Sequence, residues 1–136
     1  MATLNPYFGF DGNAREAMEF YRDVFGGDLN VMTFGDMGTE GDDAAKVMHA
    51  QLDGGSHGFT LMASDMPPGQ DYQPGNHMSA SLSGDEADEL RGWWDRLCDG
   101  GMVMVPLEKQ MWGDEFGMCA DRFGIAWLVN IAGARA

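Results

Sequence analysis

Three histidines, two cysteines and one short polar-aromatic segment hold most of the reactive side chains of this 136-residue chain. His49 stands midway along VMHAQL (47–52). An imidazole with an ordinary pKa of about 6.5 could act there as a catalytic base or hydrogen-bond a ligand. It could equally be a strand histidine whose ring packs in the sheet with its nitrogen satisfied. His57 and His77 fall in turns and are expected at the surface, and no spacing supports a His49/His77 metal pair. The second candidate is Glu108-Lys109-Gln110-Met111-Trp112-Gly113-Asp114. A small-molecule pocket combines apolar and aromatic walls with a few polar groups. Trp112 could close over an apolar ligand while Lys109 or Gln110 meets its polar end; the alternative is a hairpin end dressed with surface side chains. Cys98 and Cys119 lack CxxC spacing and read as reduced core thiols. The sequence has no nucleophile elbow, P-loop or HExxH, and no glycine-rich turn of the Rossmann type joins a strand to a helix.

The elements that must position these residues follow from periodicity. LNPYFGF (4–10), closed by Asp11-Gly12, reads as a first strand. Asn13 is placed as the N-cap of AREAMEFYRDVF (14–25), in which Ala17, Phe20, Tyr21 and Val24 recur at helical spacing before Gly26-Gly27 stops the helix. Strands are expected at 29–34, 46–52 and 58–63, the last two separated by Asp53-Gly54-Gly55. A loop from Asp65 to Asn76 marks the middle. The order then repeats: a strand at 78–82, a helix at 86–98 with Leu90, Trp93, Trp94 and Leu97 on its apolar face, Gly100-Gly101, and strands at 102–107, 115–120 and 125–131.

Sliding the chain on itself by 73 residues places Ala14 on Ala87, Glu16 on Glu89, Phe20-Tyr21 on Trp93-Trp94 and Val24 on Leu97. A shorter shift places Gly58–Met62 on Gly124–Leu128. The fold class is therefore α+β: one domain over 1–136 made of two β-α-β-β-β modules, about 1–66 and 77–136. Neither half is large enough to bury one face of its sheet alone, so the halves are expected to pair.

Composition narrows the function classes. The net charge of −14, with few and scattered Lys and Arg, argues against nucleic acid and against an anionic membrane surface as partners. Apolar runs last only a few residues, short of a membrane span, and no basic head precedes an apolar stretch, so a cytoplasmic protein is expected. The twelve methionines suit adaptable packing in a core or pocket.

EAMEFYRDVFGG (16–27), TFGDM (33–37), VMHAQL (47–52), LMASD (61–65) and PLEKQMWGDEFGMCADRFGIAW (106–127) resemble the vicinal oxygen chelate superfamily of glyoxalase I, bleomycin-resistance proteins and extradiol dioxygenases. More narrowly, they look like its PhnB-like branch. The resemblance implies that the two modules pair into a curved mixed sheet around a shared cavity, commonly in a homodimer. By the same geometry Pro6, Phe8 and Phe10, alternating along the first strand, face the cavity, with Met32, Met62, Met104 and Met118 as neighbours. All of these are also ordinary core residues.

Glyoxalase-type members of the superfamily hold a divalent metal with four His or Glu side chains, one from the first and one from the last strand of each module. The metal polarises adjacent substrate oxygens and stabilises the anion that develops. Here those positions fall at Pro6, Met62, Ser79 and Leu128. Proline and leucine offer no side-chain donor, serine is weak, and methionine suits soft copper. No divalent metal and no other cofactor is expected.

The expected function is binding of a small, largely apolar molecule by a metal-free homodimer, with Phe8, Phe10, Met32, His49, Met62, Lys109, Gln110 and Trp112 as ligand-binding candidates. The alternative is a lyase/isomerase-like or other enzyme using His49 as its catalytic group or an unconventional metal site. A third reading is a scaffold whose cavity is filled by Phe8, Met62 and Leu128.

Overall fold

The computed structural model describes residues 2–54, 57–67 and 69–133. Gly55 of the expected turn after Asp53 and Pro68 of the expected central loop lie outside the described residues. In chain order the elements are β1 (Tyr7–Phe10), α1 (Ala14–Phe25), β2 (Asp28–Thr33), a 3-10 turn (Gly35–Met37), β3 (Val47–Asp53), β4 (Thr60–Asp65), β5 (Ala80–Gly84), α2 (Ala87–Cys98), β6 (Met102–Lys109), β7 (Glu115–Ala120) and β8 (Ala126–Ile131). This is the β-α-β-β-β order twice. The chain divides into two compact units, Met1–Pro74 and Gly75–Ala136.

Each unit is a four-stranded mixed sheet with one helix. In the first the strand order is β1-β4-β3-β2, and in the second β5-β8-β7-β6. The outer strands β1 and β5 run parallel to their neighbours, while the remaining pairs are antiparallel. The two helices begin at Ala14 and Ala87, 73 residues apart, and end at Phe25 and Cys98, again 73 apart. The strand pairing departs from this repeat by one residue. Met62 lies opposite Tyr7, but its counterpart Leu128 lies opposite Ser81 rather than Ala80.

In the first unit α1 covers one face of the sheet. Ala14, Ala17, Met18, Tyr21, Val24 and Phe25 are buried on the helix, and Leu61, Ala63 and Asp65 are buried at alternate positions of β4. Burying side chains the size of Met18 or Tyr21 contributes roughly 1.5–3 kcal/mol each. In the second unit Leu90, Trp94 and Leu97 of α2 are buried, with Cys119 on β7 and Trp127, Val129 and Ile131 on β8. A side chain at Gly117 would collide with the Trp94 ring, so the glycine lets the indole lie against the sheet.

The start of α1 differs from the expectation. Asn13 makes no side-chain cap hydrogen bond. The Ala14 N–H instead donates to Asp65 Oδ1 at 2.9 Å, and the other carboxylate oxygen accepts from the Val47 N–H at 2.8 Å. Asp65, only 2% exposed, thus satisfies two backbone donors at once and ties the helix start to the start of β3. A tertiary carboxylate has taken the place of the local cap.

The helix exit follows the sequence reading. Gly26 has φ 76° and its N–H returns to Arg22 O at 2.7 Å. At Gly27 a Cβ would strike the Asp53 backbone carbonyl, and at Gly101 it would strike that of Ala120. Both units therefore use a glycine where the chain leaving the helix crosses a strand end.

Candidate functional site

The face of the first sheet opposite α1 carries a set of polar and polarisable side chains. Register places Tyr7 opposite Met62, Met62 opposite Gln51, and Gln51 opposite Asn30, so one row of side chains crosses all four strands on this face. The neighbouring row holds His49 opposite Met32, and Ser64 opposite Gly9. Asp53 and Thr60 face each other one step further along, and Asp53 Oδ1 accepts from Thr60 Oγ1 at 3.2 Å and from Gln51 Nε2 at 3.3 Å.

Within these rows the Tyr7 hydroxyl lies 3.4 Å from Nδ1 of His49, with ring centroids 5.8 Å apart. When Nδ1 is unprotonated the phenol donates to it; when it carries the proton the imidazole donates to the phenol. Next to the pair, Thr3, Leu4, Asn5 and Pro6 lead into β1 and wall a cleft with Gln51, Gly58, Phe59, Thr60 and Met62. Its volume is about 520 Å³, inside the range of about 300–1,000 Å³ usual for small-molecule pockets.

Met32, His49 and Met62 are thus brought onto one face. Phe8 and Phe10 are not with them. The Phe8 ring lies 5.9 Å from that of Tyr21 on α1, and Phe10 is buried at 1% exposure, so both belong to the helix-covered core. The expected cavity side of β1 is corrected accordingly: Tyr7 and Gly9 face away from the helix. Described strand structure starts only at Tyr7, so the alternation cannot be carried through Pro6. Tyr7 and Gln51 were missed in the sequence. The signal available for Gln51 was its two-residue spacing from His49, and for Tyr7 its place one residue from each of the aromatic core positions.

Lys109, Gln110 and Trp112 lie in the second unit, at the turn joining β6 to β7. The Gln110 N–H donates to Asp114 O at 2.7 Å and its side-chain amide to Glu108 O at 2.9 Å, which makes this a closed hairpin end. Trp112 remains 56% exposed, with its ring 6.4 Å from Phe116. Asp114, 7% exposed, fixes the turn through Asn130 Nδ2 at 3.1 Å and the Gly133 N–H at 2.8 Å. Asp121 builds its own turn: it accepts from the Phe123 and Ile125 N–H groups and also from Trp127 Nε1 at 2.8 Å. His57 and His77 are exposed.

The positions that correspond to the superfamily's metal ligands do not fit a divalent ion. The Pro6 carbonyl accepts the Met62 N–H at 3.0 Å, and the side chains present are those of proline, methionine, serine and leucine. Among the described residues no group of three or more His, Cys, Asp or Glu is gathered as a metal would require. No helix of the described residues is long and apolar enough to cross a membrane.

Comparison with known proteins agrees with this architecture. Protein YjdN of Escherichia coli is 28% identical over 94% of both chains. Protein Mb0911c of Mycobacterium bovis is 30% identical over 94% of this chain and 82% of its own. Among solved structures, protein PA1353 of Pseudomonas aeruginosa matches at 42% identity with a TM-score of 0.86, covering 96% of this chain and 98% of that one. The PhnB protein of Bacillus cereus, described as a 3-demethylubiquinone-9 3-methyltransferase, shares the fold at 23% identity and a TM-score of 0.73, covering 96% of this chain and 100% of that one. The model of the Glyoxalase/Bleomycin resistance protein/Dioxygenase superfamily matches residues 3–129. With nearly its whole length matched and both units folded as β-α-β-β-β, the chain belongs to that superfamily.

Proposed function

We propose that this protein binds a small, largely apolar molecule without a divalent metal, and that the ligand rests on the open face of the first sheet. The observation that carries the reading is the cleft of about 520 Å³ beside Met62 and Gln51. It adjoins a face on which thioethers and ring edges outnumber charges. Methionine adapts its shape to a ligand, while Gln51, Tyr7 and His49 offer hydrogen bonds that would fix its orientation. Binding needs a shaped surface and a few hydrogen-bonding groups, for which the cleft and Gln51, Tyr7 and His49 are candidates; metal-assisted chemistry needs hard donors, which Pro6, Met62, Ser79 and Leu128 do not offer. A Rossmann-type methyl-donor site has no support either, since Asp11-Gly12-Asn13 joins β1 to α1.

The Tyr7–His49 contact favours one second reading: a metal-free acid–base catalyst in which the imidazole moves a proton and the phenol holds its orientation. Homodimerisation and a cytoplasmic location fit the superfamily and the composition and stand with this proposal.

The binding reading is tested by screening a library of small apolar and planar compounds by ligand-observed NMR against the native protein and the Met62→Arg variant. Compounds that bind the native protein and lose that binding in a folded Met62→Arg variant support it. Hits that bind both equally, or no hits at all, contradict it.

A further inference from the structure

We infer that the molecule taken by the cleft beside Met62 is a lipophilic amine, an apolar body ending in a protonated nitrogen that meets the Asp53 carboxylate; this rests on the reading of that cleft as the ligand site.

The hydrogen bonds around Asp53 all run one way. Gln51 and Thr60 line the cleft, and both donate to the same oxygen, Asp53 Oδ1, at 3.3 Å and 3.2 Å. A carboxylate only accepts, so the Gln51 amide must direct its nitrogen there, which leaves its carbonyl oxygen to accept from elsewhere. A threonine hydroxyl has a single proton to give, so Thr60 offers a ligand nothing but lone pairs. Among the described residues none donates to Asp53 Oδ2. This end of the cleft therefore asks for a donor.

No cation of the first unit balances the carboxylate. Its Lys and Arg residues are Arg15, Arg22 and Lys46. Both arginines belong to α1, which covers the other face of the sheet, and Lys46 is held by Asp43 at 3.0 Å. Asp28 stands opposite Asp53 in the β2–β3 ladder and adds a second negative charge. Like charges directly opposite disfavour each other. A cation beside Asp53 is attracted by both carboxylates, an anion is repelled by both, and a neutral hydroxyl gains one ordinary hydrogen bond. A metal ion is a poor match, because no three His, Cys, Asp or Glu side chains of the described residues gather to hold one. The apolar body of an amine has its own wall in Met62 and Phe59, whose ring lies against Gly54 next to Asp53.

The test is a calorimetric titration with three probes that share one body and differ in charge: phenylbutylamine, phenylbutanol and phenylbutyrate. The native protein should bind the amine roughly 5-fold more tightly than the alcohol, as a part-exposed ion pair gives, and the carboxylate most weakly. The preference should vanish as salt approaches about 1 M, where screening leaves a reach of about 3 Å. Asp53→Asn keeps an oxygen for Gln51 and Thr60 but removes the charge; it should bind the alcohol as before and favour the amine by less than about 2-fold. An amine preference that persists in folded Asp53→Asn would overturn the inference. Should that variant not fold, the native ranking and its salt dependence still decide. Equal binding of all three probes that is lost in Met62→Arg overturns the charge assignment and leaves the cleft as the site. Binding of none of them also overturns it, and the library screen then decides separately whether the cleft takes any ligand.

Discussion

The Tyr7 hydroxyl stands 3.4 Å from Nδ1 of His49 across the open face of the first sheet, joining two residues 42 positions apart. Neither ring is in the helix-covered core: Tyr7 is 53% exposed and His49 half-buried. The contact therefore contributes little to folding and is available to a ligand. Tyr7→Phe should leave the unfolding free energy within about 0.5 kcal/mol of the native value. It should weaken ligand binding by roughly 3- to 10-fold, the worth of one hydrogen bond. Paired chemical denaturation and binding titrations separate the two effects.

Asp65 carries the opposite prediction. Both of its oxygens accept backbone N–H groups in the core. Asp65→Asn puts an NH₂ where one acceptor stood, leaving a buried N–H without a partner, at a cost of about 1–3 kcal/mol. Urea unfolding should show a lower midpoint with an unchanged m-value, and hydrogen exchange should quicken first at Ala14 and Val47.

A third prediction concerns glycine. Gly101→Ala places a methyl group against the Ala120 carbonyl, and Gly27→Ala, at φ 98°, does the same against Asp53. Each should destabilise by about 1–3 kcal/mol. By contrast Gly92→Ala, on α2 with nothing within 4 Å of the new carbon, should stabilise by about 0.5–1 kcal/mol. Thermal unfolding of the three variants side by side gives the ranking.

The buried thiols set an alkaline limit. Burial, above all, lets Cys119 hold its proton up to about 12 in the folded protein, against an ordinary thiol value of 9.0. A raised folded pKa contributes stability that is fully present below pH 9 and is lost as pH climbs towards 12, because the unfolded thiol ionises first. Under reducing conditions the unfolding free energy should fall above pH 9 with a slope approaching about 1.4 kcal/mol per pH unit from this group. Cys119→Ala, though less stable at neutral pH, should show a shallower decline.

Much of this architecture was legible in the sequence. The helix over 14–25 was readable to the residue because an apolar stripe runs from Ala14 and ends at Gly26-Gly27, and the repeat reproduced both helices at one fixed offset. The faces of β1 were not legible. Aromatic side chains occupy both sides, and only packing against Tyr21 shows that Phe8 belongs to the core. The one-residue slip of β5 against β8 likewise has no sequence mark, since it depends on pairing and not on the spacing of the repeat. Asp65 read only as the start of the central loop because its partners, Ala14 and Val47, are 51 and 18 residues away.

The central claim is that this member of the superfamily binds a small organic molecule without a divalent metal. Native mass spectrometry of the protein purified without chelator tests it most directly, read once as isolated and once after addition of equimolar zinc, nickel or ferrous iron under reducing conditions. The account predicts subunit masses free of stoichiometric metal in both spectra, with any retained mass being organic. One tightly held metal ion per subunit would contradict it and place the chemistry with donors other than Pro6, Met62, Ser79 and Leu128.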